Sequence, residues 1–484
     1  MNPKRTLLTG LLTASLLHAN LAQAAPEGVV LPELGDASSS LFSMQTEYEL
    51  GRAWLKMFRS QVRTVSDPLM QDYMEHLIYR LASVSQVKDR RLEVVVVDNS
   101  TINAFAVPGG VIGVHNGALL YADTEAELAS ILGHELAHLS QRHFARGVEQ
   151  QQRNALPMMA AMLGSLVLAA TTKGDIGMAG IAATQAAAQQ ARLSFSRENE
   201  QEADRIGMET LAKAEYDPGA FAEMFESMLA ANRFAGRNPP EFLLTHPLTE
   251  SRVSDARNRA RDYPRQVYVD NLDFQLMRAR AEVQLAANPA EALKKFKARI
   301  KITSRNAEAD AYGLALAYLQ AGQLRDARVQ LEPLLKKDSR RLAYVVTDTD
   351  IDLAAGNPQI AVEKLRAQLR VNPGNYPLSM AYAKALLHAG EPRLAESTLM
   401  EQAKARPSDP DVWYELAETH GLAGNILGVH QARAEYFVLN GVLDKAEQQL
   451  GYALKLTKRD EIATARIEER IRQIKTLKEQ IEKM

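Results

Sequence analysis

The stretch TEAELASILGHELAHLS, residues 124–140, contains the motif on which the fold and function of this chain depend. Thr124 is followed three residues later by a glutamate, the capping-box pattern, which predicts that a helix begins here. Inside that helix lie His134, Glu135 and His138. A spacing of four residues puts the two imidazoles one turn apart on the same face. Both can therefore reach one metal ion, with Glu135 beside them.

A metal held by this motif needs a third protein ligand. Catalytic zinc has three protein ligands and leaves one position for a water, whose pKa falls to about 7. The segment EQEAD, residues 200–204, offers a candidate because helical spacing puts Glu200 and Asp204 on one face. Glu200 would point to the metal, and Asp204 would accept the free ring N–H of a ligand histidine. The alternatives are that His134 and His138 are ordinary helix histidines and that residues 200–204 are a solvated acidic cluster.

Another class of metallopeptidase would take its third ligand from a different position. The metzincin pattern requires a histidine six residues after His138, where Phe144 stands. That class is therefore excluded. His143 is expected to continue the helix, which runs to about Arg146, as a structural or surface residue.

The residues before the metal motif predict a small sheet. Residues 92–97, 102–107 and 111–114 are rich in β-branched residues, and Pro108-Gly109-Gly110 predicts a tight reversal between the last two. Residues 46–81 have helical periodicity. The first half of the chain is therefore predicted to be α+β.

The second half repeats with a period of 34 residues. Alanine-glycine pairs end at Gly322, Gly356, Gly390 and Gly424, which is the spacing of the tetratricopeptide repeat. We expect about four repeats, a degenerate helical pair before them at residues 274–300, and a capping helix over residues 460–484. Asp348, Asp350 and Asp352 depart from the pattern because they stand where apolar packing is expected.

Composition and the first residues indicate an exported protein. The 484 residues carry a net charge of −2, so no global field favours nucleic acid, and the absence of cysteine excludes disulfides and thiolate chemistry. The first 24 residues are predicted to be a removable signal. They contain two basic residues, an apolar run over residues 7–17 and the small-residue pattern Ala22-Gln23-Ala24 of a cleavage site. An uncleaved membrane anchor is the alternative. Either way the expected location is the periplasm.

Two apolar, small-residue stretches lie between the two candidate metal motifs. Residues 155–170 and 176–191 are predicted to form a helical hairpin, too short and too interrupted to be a typical membrane span. We expect it to be buried or to make peripheral membrane contact, and its position makes it a candidate lid.

These motifs together resemble metallopeptidase family forty-eight, the gluzincins that include the CAAX prenyl proteases. The resemblance rests on the two metal motifs, on Asn103-Ala104-Phe105-Ala106-x-Pro108-Gly109-Gly110 upstream and on Thr245-His246-Pro247 downstream. It implies one zinc ion per chain and the following roles: His134, His138 and Glu200 as ligands, Glu135 as general base, Asp204 as partner of a ligand histidine, and Asn103, Ala104 and Phe105 as a substrate-binding strand. His246 would either donate to the oxyanion or take the fourth zinc position and silence the enzyme. A solvent-exposed loop histidine is the alternative.

The predicted fold is a gluzincin-type α+β metallopeptidase domain with a small sheet at residues 25–264, followed by an all-α tetratricopeptide-repeat solenoid at residues 265–484. A signal sequence and C-terminal repeats resemble the members of this family that assist outer-membrane β-barrel assembly. That resemblance implies a zinc endopeptidase that degrades misassembled barrel proteins and contacts them and their assembly machinery through the repeats. The alternative is a repeat-based chaperone or scaffold whose metal site is silent or vestigial.

Overall fold

The computed structural model describes residues 43–149, 196–234, 240–264, 267–301 and 306–482. The predicted signal over residues 1–24 and the predicted hairpin over residues 155–191 lie outside these ranges. Among the described helices, none combines the length and the apolar character needed to cross a bilayer.

A three-stranded sheet forms the centre of the first half. Its strands are β1 (Glu93–Val97), β2 (Ala104–Val107) and β3 (Val111–His115), in the order β1-β3-β2. β3 pairs in parallel with β1 and antiparallel with β2, so β2 is an edge strand. The three predicted strands are confirmed to within two residues at each end.

Helices cover both faces of this sheet. α1 (Met44–Gln61) packs Trp54 and Phe58 against one face, while α2 (Pro68–Val84) and α4 (Glu125–Ser140) pack against the other. A sheet that is buried on both faces needs apolar residues at successive positions. This explains why β1 reads as an unbroken valine run rather than as an alternating pattern.

Two predicted helices are interrupted in the structure. The single helix expected over residues 46–81 is two helices, because the amide of Val65 bonds the carbonyl of Val96 at 2.9 Å and Asp67 caps α2. The helix expected to reach Arg146 ends at Ser140, and α5 (His143–Glu149) begins after Arg142 adopts a φ of 51°. A short α3 (Ala118–Tyr121) precedes α4.

The helices that complete the metal site follow the undescribed segment. They are α6 (Arg197–Lys213), α7 (Ala220–Phe234), α8 (Glu241–Thr245) and α9 (Glu250–Ala260). α6 packs closely on α4 where Gly207 meets Gly133. A Cβ on Gly207 would lie only 2.9 Å from the backbone nitrogen of His134. The two glycines therefore allow the second metal motif to approach the first.

The second half is a series of helical pairs. A leading pair, α10 (Leu272–Leu285) and α11 (Pro289–Ile300), is followed by α12 (Ala307–Gln320), α13 (Leu324–Lys337), α14 (Leu342–Ala354), α15 (Pro358–Val371), α16 (Tyr376–His388), α17 (Pro392–Ala405), α18 (Pro410–Ala423), α19 (Ile426–Leu439), α20 (Leu443–Leu456) and α21 (Glu461–Glu482). The periodic glycines adopt φ values of 71° to 79° between paired helices, a conformation that favours glycine. The predicted repeat pattern, leading pair and capping helix are confirmed.

The unexpected aspartates of the second repeat are neutralised. Asp348 and Asp352 lie one turn apart on α14 and are buried, and each contacts both Arg328 and Lys364 from the neighbouring helices α13 and α15. A buried charge needs a partner of opposite sign. The position is therefore an ion-pair cluster in place of apolar packing.

The repeats contact the peptidase half at several places, two of which are ion pairs of arginines with buried or half-buried acids. The guanidinium of Arg280 on α10 is paired with Asp67 at the start of α2, and Arg406 after α17 forms two hydrogen bonds with Glu75, at 2.9 and 2.5 Å. The first helices of the repeats and residues 66–69 line a partly open cavity of about 390 Å³. The described residues form one compact unit, and the domain boundary near residue 264 remains a prediction.

Candidate metal centre and active site

The metal site begins with the two histidines of α4. His134 and His138 are one helical turn apart and buried, with 1% and 4% of their surface exposed. Their Nε2 atoms are 3.0 Å apart, so both rings direct the same nitrogen to one point. Burial holds the pKa of His138 well below its ordinary value, which favours the neutral ring that can bind a metal.

α6 brings Glu200 to the same point. Its Oε1 atom is 3.3 Å from Nε2 of His138, and its Oε2 atom is 3.6 Å from Nε2 of His134. The fourth member is His246, whose Nδ1 atom lies 3.3 Å from Nε2 of His134 and 3.0 Å from Oε1 of Glu200. One potential ligand atom from each of the four residues lies within 4.8 Å of all the others.

These distances place four potential ligand atoms around one point. Four of their six separations are 3.0 to 3.3 Å, and all six are within 4.8 Å. Ligands of a single zinc ion at about 2.0–2.1 Å must lie this close to one another. The donor set of imidazole nitrogens and a carboxylate oxygen is also one that zinc prefers.

Asp204 orients the first histidine. Its Oδ1 atom is 2.9 Å from Nδ1 of His134, so it can accept the ring N–H that points away from the metal position. Arg252 of α9, also buried, donates to both Asp204 oxygens at 2.7 Å and pairs with Glu200 at 2.7 Å. Burial opposes ionisation of Asp204, but His134 and Arg252 outweigh it and lower the pKa of this carboxyl.

Glu135 lies beside the four-residue set without joining it. Its Oε2 atom accepts a hydrogen bond of 2.9 Å from the backbone amide of Ala106 on β2, and its Oε1 atom is 3.3 Å from Nε2 of His246. Burial raises the pKa of this carboxyl. Glu135 is therefore held beside the metal position by the edge strand and can exchange a proton there.

His246 is attached to β2 through the short helix before it. The amide of Phe242 bonds the carbonyl of Ile102 at 3.3 Å, and the side-chain amide of Asn103 donates to Glu241 at 3.3 Å. The ring of Phe242 then stacks on His246 with centroids 4.6 Å apart. His246 is 2% exposed, so the interpretation as a solvent-exposed loop histidine is wrong.

The predicted substrate strand divides into two kinds of residue. The amide of His115 bonds the carbonyl of Asn103, and the ladder alternates, so Asn103 and Phe105 direct their backbone groups to β3. The Phe105 ring packs against Trp54 and Phe58 in the core. Phe105 is therefore corrected to a core residue, and Ala104 and Ala106 carry the outward edge of β2.

Sequence reasoning missed two buried residues of the site. Arg252 occupies the first turn of a helix capped by Thr249, six residues after His246. Its only sequence signal is a capped helix with an early arginine near a metal motif. His143 is 1% exposed and contacts His138, so the expected surface role is wrong, whereas the expected structural role stays a prediction. The feature of the sequence that could have indicated this contact is the position of His143 five residues after His138.

Comparisons with known proteins agree with this site. The profile of peptidase family M48 matches residues 68–260, and a tetratricopeptide-repeat profile matches residues 352–418. The β-barrel assembly-enhancing protease of Escherichia coli is 33% identical over 485 residues, covering 98% of this chain and 97% of the relative. The chain belongs to the family of β-barrel assembly-enhancing proteases.

Two further relatives differ in how much of the chain they match. The β-barrel assembly-enhancing protease of Yersinia pestis is 33% identical over 99% of both chains. The mitochondrial metalloendopeptidase OMA1 of Arabidopsis thaliana is 33% identical over 171 residues, covering 35% of this chain and 32% of the relative. The chain is thus a metallopeptidase with tetratricopeptide repeats, and the predicted fold class is confirmed.

Proposed function

We propose that this chain is a zinc-dependent endopeptidase of the periplasm that degrades misassembled outer-membrane β-barrel proteins and assists their assembly. The observation that carries the proposal is the buried set of His134, His138 and Glu200 with Glu135 beside it. Its occurrence in a chain whose full-length relatives are named β-barrel assembly-enhancing proteases supports the client class.

His134, His138 and Glu200 would hold the zinc ion. Bound zinc would polarise the scissile carbonyl and lower the pKa of a water to about 7. Asp204 lies 2.9 Å from Nδ1 of His134 and would accept its proton, which leaves the Nε2 lone pair directed at the ion. Arg252 balances the charge of the two buried carboxylates, which keeps both ionised.

Glu135 would move the proton. The Ala106 amide fixes one carboxylate oxygen and leaves the other to accept a proton during attack and to return it to the leaving amine. The outward backbone groups of Ala104 and the carbonyl of Ala106 would pair with an extended substrate, since the Ala106 amide is already bonded to Glu135. Because main-chain groups make these bonds, we expect weak sequence selectivity and a preference for unfolded segments.

His246 would silence this machinery in the conformation seen here. Its Nδ1 atom lies among the ligand atoms, where it would exclude water, and its Nε2 atom contacts Glu135. One side chain thus competes for both the metal position and the base. The alternative, donation to the oxyanion, requires His246 to move away from Glu200.

Replacing His246 with alanine separates these roles. If His246 silences the enzyme, its replacement should raise basal hydrolysis. The expected rise is tenfold for each ~1.4 kcal/mol by which His246 stabilises the silenced conformation. An oxyanion donor predicts a loss of roughly 10²–10³-fold. The measurement is cleavage of an unfolded barrel protein, with the exposed histidine variant His76→Ala as control. Unchanged hydrolysis would eliminate both roles.

Metal content tests the ligand assignment. We expect one zinc per purified chain, and its loss in His134→Ala, because the remaining side chains would offer only one imidazole and one carboxylate besides His246. Elemental analysis of the folded proteins measures this directly. Stoichiometric zinc in His134→Ala would remove His134 from the ligand set.

The repeats would bring clients and the assembly machinery to the peptidase. Their first helices line a partly open cavity beside residues 66–69, and we propose that partners approach the second helices, which carry exposed apolar residues. Val329, Ile360 and Leu394 on those helices are 63%, 47% and 40% exposed. We further propose that the signal over residues 1–24 is cleaved on export and that the segment at residues 155–191 contacts membrane only peripherally.

A further inference from the structure

Helix α6 carries acidic residues at four alternate positions from Glu198 to Asp204, and the proposed zinc site does not explain the buried side of Glu202. Glu200 faces the metal position and Asp204 contacts His134. Glu202 lies between them and is half-buried. Its Oε2 atom is 3.0 Å from Nε2 of His143, whose side chain is completely buried.

His143 in turn contacts the second histidine of the metal motif. Its Nδ1 atom is 2.9 Å from Nδ1 of His138. Two facing ring nitrogens form a hydrogen bond only if one carries a proton and the other does not. The tautomer of His143 therefore decides which role the nitrogen of His138 can take.

Glu202 determines that tautomer. A carboxylate accepts hydrogen bonds and does not donate them, so it favours the proton of His143 on Nε2. The Nδ1 atom of His143 can then accept the Nδ1 proton of His138, 2.9 Å away. This leaves the Nε2 lone pair of His138 directed at the point shared with His134 and Glu200.

The chain turns sharply between α4 and α5 to make this contact. Arg142 adopts a left-handed φ of 51°, and its guanidinium donates to Glu47 at 2.6 Å, which holds the turn against α1. The turn returns His143 to the side of His138. A continuous helix would have placed the two rings about 140° apart around the axis, since five residues rotate by roughly 500°.

We propose that His143 and Glu202 are positioning residues for the metal ligand His138, and that they act on it as Asp204 acts on His134. Each histidine of α4 is then oriented by a different acid of α6, one directly and one through His143. Arg146 contacts Glu202 at 3.2 Å and is half-exposed, so this second chain of contacts ends at the surface. The inference rests on the proposed zinc site.

Zinc affinity measured by chelator competition tests this role without relying on catalysis. Loss of a partner that orients a metal ligand typically weakens metal binding 10–100-fold. We expect that loss for His143→Ala and a loss in the same direction for Glu202→Ala. Glu202→Gln should retain most of the affinity, because the glutamine carbonyl still accepts the Nε2 proton. Glu198→Gln, an exposed acid on the same helix, is the matched control.

The outcomes separate this inference from the proposed function. If wild-type protein binds no zinc, the zinc site itself fails. If it binds zinc and both His143→Ala and Glu202→Ala bind it as tightly, the positioning role is overturned. Thermal unfolding of the metal-free proteins identifies a variant that fails to fold. In that case Glu202→Ala, which changes a half-exposed side chain, decides the result.

Discussion

Glu135→Gln is expected to keep its zinc and to lose peptide hydrolysis by roughly 10²–10⁴-fold, the usual contribution of a general acid-base. Glutamine has nearly the same shape, and its carbonyl can accept the Ala106 amide that holds Glu135 now. It cannot take a proton from an attacking water. The zinc ligands are untouched, because Glu135 lies outside the set of His134, His138 and Glu200.

Zinc content and cleavage of an unfolded barrel protein should be measured on the same preparation. Glu209→Gln provides a matched control, since this half-buried glutamate on α6 forms an ion pair with Lys213 in the next turn and is not part of the metal site. Hydrolysis retained by Glu135→Gln would contradict the assignment of the base.

The same variant separates the two candidate functions in cells. Degradation of misassembled barrel proteins should stop, while maturation of correctly assembling ones reports any activity of the repeats that is independent of hydrolysis. Loss of degradation with retained maturation would identify a chaperone activity beside the peptidase. Survival of both would overturn the role of hydrolysis altogether.

Asp67→Ala should destabilise the protein by about 3–5 kcal/mol, the usual cost of leaving a buried charge without its partner. Asp67 pairs with the guanidinium of Arg280 on α10 and accepts from Gln284. It also caps α2 through the amides of Leu69 and Met70, at 3.1 and 3.3 Å, which adds roughly 1 kcal/mol. One side chain thus supports a helix start and the contact between the peptidase half and the repeats.

Denaturant unfolding of Asp67→Ala measures the loss. Asp67→Asn separates the two contributions, because its amide oxygen can still cap α2 while the charge is gone. Asp444→Ala serves as control, since Asp444 is 81% exposed and its ion pair with Lys478 should contribute no more than about 1 kcal/mol. If Asp67→Ala and Asp444→Ala unfold at the same denaturant concentration, the contact does not have the stabilising role assigned to it.

Features that depend on short-range spacing were predictable from the sequence. The capping box and the two histidines four residues apart place His134 and His138 on one helical face. Periodic glycines mark the ends of the first helices of the repeats, because a left-handed residue there is cheap only for glycine. The strands were visible because buried β-branched runs between turn residues have few alternative structures.

Interruptions of helical patterns were not predictable in the same way. The break before Asp67 and the break at Arg142 both fall inside apolar periodicity that continues across them. The first is maintained by pairing of Val65 with β1, and the second by the contact of Arg142 with Glu47. Both partners are distant in sequence. Asp67-Pro68, a capping residue followed by a proline at the first helical position, is a local sign of the first break, whereas local propensity carries no sign of the second.

The sequence by itself determined which side chains are available for chemistry and how they are spaced within each helix. Only the tertiary structure decided which of them meet. Gly133 and Gly207 let α6 approach α4 closely enough for Glu200 to complete the site, and α8 carries His246 into the fourth position. The turn at Arg142 returns His143 to His138. The reason is physical: spacing within a helix follows from backbone geometry, whereas the distance between separate segments depends on how their surfaces pack.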